Sequence, residues 1–177
     1  KYIFNPFSVN TIGYDPLANC KSEFEVRKIA NIILLNGISN LINKSSNTTS
    51  NHLEWINMAT PLLTSYMLMN YYTKQYTFDK LIENICTLPI ISDVIKDNEG
   101  NIVKISKSIE YEILNSGVKS AITEFKSFKQ VIGAFQTLAS IRTVMNSCLQ
   151  IFMDENVKRM CRKPNIDLST IRREESI

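Results

Sequence analysis

The fold is decided by the stretch Lys119–Arg162, KSAITEFKSFKQVIGAFQTLASIRTVMNSCLQIFMDENVKRMCR. Apolar residues recur in this stretch at intervals of three and four, which is the period of one face of an α-helix. They are Phe125, Phe128, Ile132, Phe135, Leu138, Ile141, Met145, Cys148 and Phe152. The pattern therefore predicts long helical structure that forms the backbone of the core.

A single straight helix over this stretch would be too long for a compact domain. It would span roughly 65 Å at about 1.5 Å per residue, whereas a domain of this chain length is only about 40 Å across. We therefore expect two antiparallel helices, with a break near Gly133 or around Ser140, in preference to one projecting rod.

The N-terminal segment, residues 1–21, combines aromatic residues with Pro6, Gly13 and Pro16. Proline and glycine at these places are incompatible with one continuous helix. We therefore expect an extended arm anchored by its rings, packed either on its own domain or on a neighbouring subunit.

The first helix begins with a capping box. Ser22 and Glu25 have the spacing at which each side chain caps a backbone amide near the other. An apolar stripe then follows at helical spacing: Phe24, Ile29, Ile32, Leu35, Ile38 and Ile42. Ile33 and Leu34 widen this stripe, which indicates a helix buried on more than one side.

Pro61 divides the next helical pattern. A polar loop over 43–51 leads into a helical segment that starts at Leu53, and Thr60 followed by Pro61 is typical of the beginning of a new helix. Helices are therefore predicted over 62–74 and from Thr77 to near Pro89.

Two β-branched runs, Val94–Lys96 and Ile102–Ile105, flank the polar loop Asp97–Gly100. This arrangement predicts a short β-hairpin near 93–106. A short helix over Ser108–Asn115 follows, and Gly117 is suited to the left-handed conformation that ends a helix.

The chain is therefore expected to be mainly α, a compact bundle of about six to seven helices with one short hairpin and an extended N-terminal arm. We predict an arm over 1–21, a single helical domain over 22–163 and a polar C-terminal tail over 164–177.

Size and composition narrow the class of protein. The 177 residues and net charge of +3 fit one globular domain and do not by themselves imply a polyanionic partner. The apolar stretch Ile29–Ile42 is interrupted by asparagines, so no membrane span is expected.

Heavy use of Ile, Asn and Lys is typical of an AT-rich genome. Because the chain begins with Lys1 and not Met, we expect an excised domain or a processed product.

The four cysteines are far apart and form no CxxC pair. Reduced, buried thiols in an intracellular protein are expected, with two disulfides in an exported protein as the alternative. The glycosylation sequons at Asn43 and Asn47 favour the alternative only slightly, since such triplets arise freely in polar loops. An intracellular location, in a host cytoplasm or a virion, is therefore expected over secretion.

The sequence lacks the usual signatures of catalysis. With His52 as the sole histidine, a two-histidine metal site is excluded, and the five glycines form no phosphate-binding run. Glu124 and Lys126 form an ExK pair, but in a helical segment and not on the strand that this nuclease signature needs. We expect no catalytic residue, no metal, no cofactor and no small-molecule substrate. An enzyme is left only as a site that no local pattern reveals.

A basic cluster at the end of the last helix gives one functional hypothesis. Lys158, Arg159, Arg162 and Lys163 are candidate nucleic-acid contacts, to phosphates, with rings of the arm stacking on bases. The simpler interpretation is that positive side chains favour a helix C-terminus.

An apolar surplus gives the other hypothesis. Met and Tyr are enriched at protein interfaces, and they cover nearly every side of the helix over 62–74. The candidate interface residues are Tyr66, Met67, Met69, Tyr72 and Phe135. Complete burial inside the domain explains the same pattern equally well.

We therefore expect a non-enzymatic helical interaction or assembly protein, a viral structural or host-protein-binding domain, whose partner is another protein or a second copy. A nucleic-acid-binding helical domain is the alternative.

Overall fold

The computed structural model describes residues 5, 7–8, 10–42, 49–97, 99–100, 102–133 and 135–163. Within them lie seven α-helices, one short 3₁₀ helix and two strands, so the protein is mainly α as predicted. The helices are α1 (Glu23–Ile42), α2 (Thr49–Thr73), α3 (Phe78–Thr87), α4 (Ile109–Asn115), α5 (Lys119–Val131), α6 (Phe135–Leu149) and α7 (Glu155–Arg162). The strands are β1 (Val94–Lys96) and β2 (Ile102–Ile105), and the 3₁₀ helix η1 spans Gln150–Met153.

The central element is α2, on which α1, α3, α4, α5 and α6 all pack. Every residue from Leu62 to Asn70 is buried. Nine consecutive residues cover the whole circumference of a helix with 3.6 residues per turn. The C-terminal half of α2 is therefore enclosed by its neighbours on all sides.

The predicted helix boundary at Pro61 is wrong, because α2 runs through it without a break. Proline inside a helix costs about 3 kcal/mol, because one backbone hydrogen bond is lost and the ring crowds the carbonyl four residues earlier. Here the apolar residues on both sides of it, Ile56, Ala59, Leu62 and Leu63, are fully buried. Their burial as one continuous face outweighs the loss.

The long periodic segment is divided as predicted, since α5 ends at Val131 and α6 begins at Phe135, with Gly133 between them. Both helices pack on α2. The segment is divided again by η1, which separates α6 from α7.

The buried face of α1 differs from the predicted stripe. Val26, Ala30, Leu34 and Ile38 are buried at a regular spacing of four, whereas Phe24, Ile32 and Leu35 are exposed. Small residues explain the difference: a Cβ placed on Gly37 would lie 2.6 Å from the Cα of Cys148, so α1 and α6 are in backbone contact there.

The helix start is as predicted, with the Glu25 amide donating to Ser22 Oγ at 3.3 Å, although Glu25 itself accepts from the Lys21 amide.

The predicted hairpin is present, with β1 and β2 antiparallel and Val94 paired with Ile105. Ile95 and Ile102 are largely exposed, so the hairpin is not part of the core. It is attached at its base, where the hydroxyls of Ser92 and Ser108 are 2.7 Å apart. Gly117 has φ +70°, which confirms the left-handed stop after α4.

The N-terminal arm packs on its own domain over the part that the structure describes. The Tyr14 amide donates to the carbonyl of Met160 at 3.3 Å, and Lys163 Nζ donates to the carbonyl of Thr11 at 2.8 Å. The predicted polar tail over 164–177 and most of the polar loop, 43–48, lie outside the described residues, while residues 49–51 are helical and not loop. In the described part of the chain no helix has both the length and the apolar character to cross a membrane.

The contact between α1 and α6 gives a stability prediction. Gly37→Ala adds a Cβ where backbone atoms of Cys148 lie 2.6 and 2.7 Å away. Alanine is intrinsically the better helix former by about 1 kcal/mol, yet we expect the substitution to lower the free energy of unfolding by about 1–3 kcal/mol, because the two helices must separate.

Gly133→Ala is the matched control, because a Cβ there meets no atom of the described residues within 4 Å. Urea unfolding of the two variants measures the difference. Equal stability of the two variants would contradict the close approach.

Candidate functional site

An apolar groove of about 480 Å³ lies between α1 on one side and η1 with α7 on the other. We call it the α1–α7 groove. Its volume is within the roughly 300–1,000 Å³ that binding sites usually occupy. None of the described residues that line it is charged.

The first wall is the outer face of α1. Ile29, Ile32, Ile33 and Asn36 line the groove, and Leu35 lies one helical turn beyond Ile32. Ile32 is 44% exposed and Leu35 is 41% exposed. The core packs against the opposite face, so these side chains keep a large apolar surface in contact with water.

The second wall comes from the irregular end of α6. Asp154 caps α7 by accepting from the amides of Asn156 and Val157, which sets the direction of α7 after η1. Ile151 is 62% exposed. Phe152 lines the groove and is fixed by an edge-to-face contact with Phe78, with ring centroids 5.4 Å apart.

Residues at the contact between α1 and α6 and residues of the N-terminal arm complete the lining of the groove. Gly37 and Cys148 form the floor at the contact between α1 and α6, and Tyr14 and Pro16 close one end. Burial raises the pKa of the Cys148 thiol to about 11. Burial and the nearby acidic side chains of Asp15 and Asp79 raise the pKa of Cys161, which also lines the groove, to about 12. Because the thiolate is the reactive form, neither thiol is activated as a nucleophile at neutral pH.

The predicted interface on α2 is wrong for three of its residues. Tyr66, Met67 and Met69 are fully buried, so the alternative of burial on all sides holds for them. The surrounding helices bury the apolar side chains that the sequence analysis places at a partner interface. Tyr72 is 54% exposed and donates through its hydroxyl to Glu23 at 2.8 Å. Phe135 begins α6, and its side chain lies outside the described residues.

The predicted nucleic-acid contacts are largely bound within the protein. The side chain of Lys158 is only 12% exposed and pairs with Glu155 at 3.2 Å. Arg159 donates to Asn156, and Lys163 donates to a carbonyl of the N-terminal arm. These contacts give the cluster a structural part in joining α7 to the rest of the chain.

The fourth residue of that cluster, Arg162, forms a partly buried ion pair. Its Nε lies 2.6 Å from Asp79 Oδ2, and the Asp79 side chain is buried. Burial raises the pKa of this carboxyl, but hydrogen bonds from Thr77 and Arg162 outweigh it, so that the pKa of Asp79 is held below its usual value. The pair ties α7 to the beginning of α3.

A buried carboxylate on α4 joins three parts of the chain. Glu112 accepts from the hydroxyl of Tyr66 through Oε2 and from the hydroxyl of Tyr76 through Oε1, the latter at 2.8 Å. Lys107 Nζ lies 3.2 Å from Oε1, and Asn84 donates to the Tyr66 hydroxyl at 3.3 Å. Burial, followed by the hydrogen bond to Glu112, raises the pKa of Tyr76 to about 12. Each carboxylate oxygen therefore has a protein partner.

Two other carboxylates, Glu110 and Glu124, have separate partners. Glu110 accepts from Lys129 at 2.7 Å and from the Ser92 amide at 2.9 Å. Glu124 lies on helix α5 and pairs with Arg27 at 2.7 Å. Among the described residues no group of three or more His, Cys, Asp or Glu side chains is arranged to hold a metal ion. His52 lies in α2, and its side chain is outside the described residues.

Sequence patterns did not identify the groove, although one signal pointed to it. The apolar residues of α1 cover more of the helix than one buried face requires, and Ile29 and Ile32 of the predicted stripe line the groove. Phe152 belongs to the predicted core stripe, because the interruption by η1 is not visible in the apolar spacing, and no pattern singled out Ile151.

No protein-family model, no curated protein and no solved structure matches this chain.

The ion pair of Asp79 predicts a pH dependence of stability. A carboxyl whose pKa is lowered on folding stabilises the protein above its unfolded pKa of about 4, and this contribution is lost as the pH falls through the folded pKa. We expect Asp79→Asn to lower the free energy of unfolding at pH 7 by about 1–3 kcal/mol. The difference from the wild type should begin to shrink below about pH 4 and should be smallest below the folded pKa, where the wild-type carboxyl is also neutral.

Urea unfolding at a series of pH values measures this, with Glu54→Gln, an exposed carboxyl of α2, as the control. A deficit of Asp79→Asn that stays constant down to about pH 2 would contradict the role of the charge.

Proposed function

We propose that the protein is a non-enzymatic interaction protein that binds the apolar face of a partner protein's helix in the α1–α7 groove. The observation that carries the proposal is the exposure of large apolar side chains on both walls of one uncharged groove. Ile32 and Ile151 stand on opposite walls and are 44% and 62% exposed.

The shape of the groove favours a helix as the occupant. Its first wall is one face of α1, and its second wall is a turn of 3₁₀ helix followed by α7, so the opening runs between two helical elements. An amphipathic helix places apolar side chains at intervals of three, four and seven residues in a groove of this kind.

Energetics favour an apolar partner. Fully burying an Ile side chain is worth about 1.5–3 kcal/mol. Ile32 and Ile151 line the groove and are roughly half exposed, so each has about 1 kcal/mol still to gain on burial. Since none of the described lining residues is charged, binding should depend little on salt.

The alternative of nucleic-acid binding has less support. Salt-dependent binding needs cations that are available to phosphates, whereas Lys158 and Arg162 form ion pairs within the protein. It stays a prediction, as does a viral source, and neither contributes to the proposal.

The proposal is tested by selecting partners from a displayed library of helical peptides of about 16 residues with apolar positions at helical spacing. We expect peptides that bind the wild-type chain, with affinities that change little between low and high salt. Ile32→Asp and Ile151→Asp should each lower the affinity for these peptides by about tenfold or more.

Leu114→Asp is the matched control, because Leu114 is also an exposed apolar residue but lies on α4, away from the groove. It should leave the affinities unchanged. Peptides that bind all four proteins equally, or a selection that yields none, would contradict the proposal.

The same variants separate the other occupants. Light scattering over a concentration series, with and without RNA or DNA at two salt concentrations, measures association. If the wild-type chain forms a dimer and Ile151→Asp does not, the occupant of the groove would be a second copy of this chain and not a partner protein's helix. Salt-sensitive binding of nucleic acid that is lost on changing Arg159 and Arg162 to Glu would favour the alternative function.

A further inference from the structure

The guanidinium of Arg142, a residue of α6, contacts the end of α3 and has no carboxylate partner among the described residues. Its Nη1 donates to the carbonyl of Cys86 at 2.8 Å, and its Nη2 donates to the carbonyl of Leu88. These carbonyls belong to the last turn of α3 and the residue after it, so Arg142 caps that helix end. Among the described residues no ion pair includes Arg142.

The two carbonyls compensate the positive charge of Arg142 only in part. A guanidinium has five N–H donors, and the two carbonyls take up two of them. Burial lowers the pKa of Arg142, and the neighbouring Cys86 side chain only partly opposes that effect. An arginine stays charged at any physiological pH, so a half-buried positive charge with spare donors remains at this place.

Arg142 lines a pocket of about 640 Å³, the Arg142 pocket. Its walls are mainly apolar: Leu88, Pro89, Ile90 and Ile91 come from the connection after α3, and Leu138 and Ala139 come from α6. An apolar pocket with one polar anchor is the usual form of a small-molecule site. It differs from the α1–α7 groove, whose described lining holds no charge.

The second charge in the pocket restricts the ligand. Asp93 also lines the pocket, and it forms no ion pair with Arg142, so its carboxylate is more than 4.0 Å away from the guanidinium. One cation beside one anion leaves no excess positive charge to hold a dianion such as a phosphate monoester. A ligand with a single negative charge matches the pocket better. A carboxylate is suited to this place, because arginine binds carboxylates through two parallel N–H bonds.

We propose that the Arg142 pocket binds a small monocarboxylate with an apolar chain. The carboxylate accepts from the free N–H groups of Arg142, and the chain lies against Leu88, Ile91 and Leu138. This site is independent of the partner-binding function proposed above, because it shares no residue with the α1–α7 groove.

The test uses sodium octanoate as the probe and octanol as the uncharged control, with binding followed by titration calorimetry and by amide chemical shifts of the full chain. We expect octanoate to bind more tightly than octanol. Its shifts should concentrate at 88–93 and 138–142 and not along the α1–α7 groove. Shifts confined to the groove, or no saturable binding of octanoate up to about 10 mM, would overturn the proposal.

Substitutions assign the roles of the two charges. Arg142→Gln keeps an amide donor for the carbonyls at the end of α3. It should lower the affinity for octanoate by about tenfold or more and leave the affinity for octanol unchanged. Asp93→Asn removes the repulsive carboxylate and should tighten octanoate binding severalfold. Arg27→Gln, which changes a partly exposed arginine on α1, should leave octanoate binding unchanged.

Two further results keep the proposal falsifiable if Arg142→Gln is unstable. Asp93→Asn alters an exposed side chain and does not depend on the cap of α3. Weaker octanoate binding in Asp93→Asn, or equal affinities of the wild-type chain for octanoate and octanol, would contradict a carboxylate held by Arg142.

Discussion

The enclosure of α2 is the constraint on which the rest of the structure depends. Because Leu62–Asn70 is buried on every side, helices must cover it all round, and α1, α3, α4, α5 and α6 each present an apolar face to it. The polar groups taken into this core need partners there. Ser65 donates to the carbonyl of Leu62, Asn70 exchanges hydrogen bonds with the backbone of Tyr76, and Tyr66 donates to Glu112.

The same constraint decides which apolar surface is left over. The helix α1 packs on α2 and α6. Its buried stripe is Val26, Ala30, Leu34 and Ile38, and Gly37 lies in close contact with Cys148 of α6. Ile32 and Leu35 lie on the outer side of the helix. On the neighbouring chain segment, η1 ends α6 early and turns Ile151 outward. The α1–α7 groove is thus what remains when the best-fitting faces have been used for the core.

Features that depend on local chemistry were predictable from the sequence. The break at Gly133, the hairpin around Asp97–Gly100 and the left-handed residue Gly117 follow from the backbone preferences of a few adjacent residues. Ser22 as the cap of α1 follows from the same kind of rule.

Features that depend on distant neighbours were not predictable. Pro61 normally ends a helix, but burial on both sides of it keeps α2 continuous. Met67 and Tyr66 have the composition of an interface, and only the positions of the other helices place them in the core. The spacing of Ile29, Ile32 and Leu35 is that of a buried face, yet the contact of Gly37 with Cys148 rotates it outward. Arg142 and the two carbonyls that it contacts are 54 and 56 residues apart in sequence, and Arg162 is 83 residues away from Asp79.

Hydrogen–deuterium exchange of the full chain, alone and with a helical peptide selected on it, tests the partner-binding role of the α1–α7 groove most directly. If the peptide occupies the groove, amide protection rises in segments 29–37 and 151–161, while α4 is unchanged. Added protection elsewhere, with none in these two segments, would contradict the groove as the binding surface.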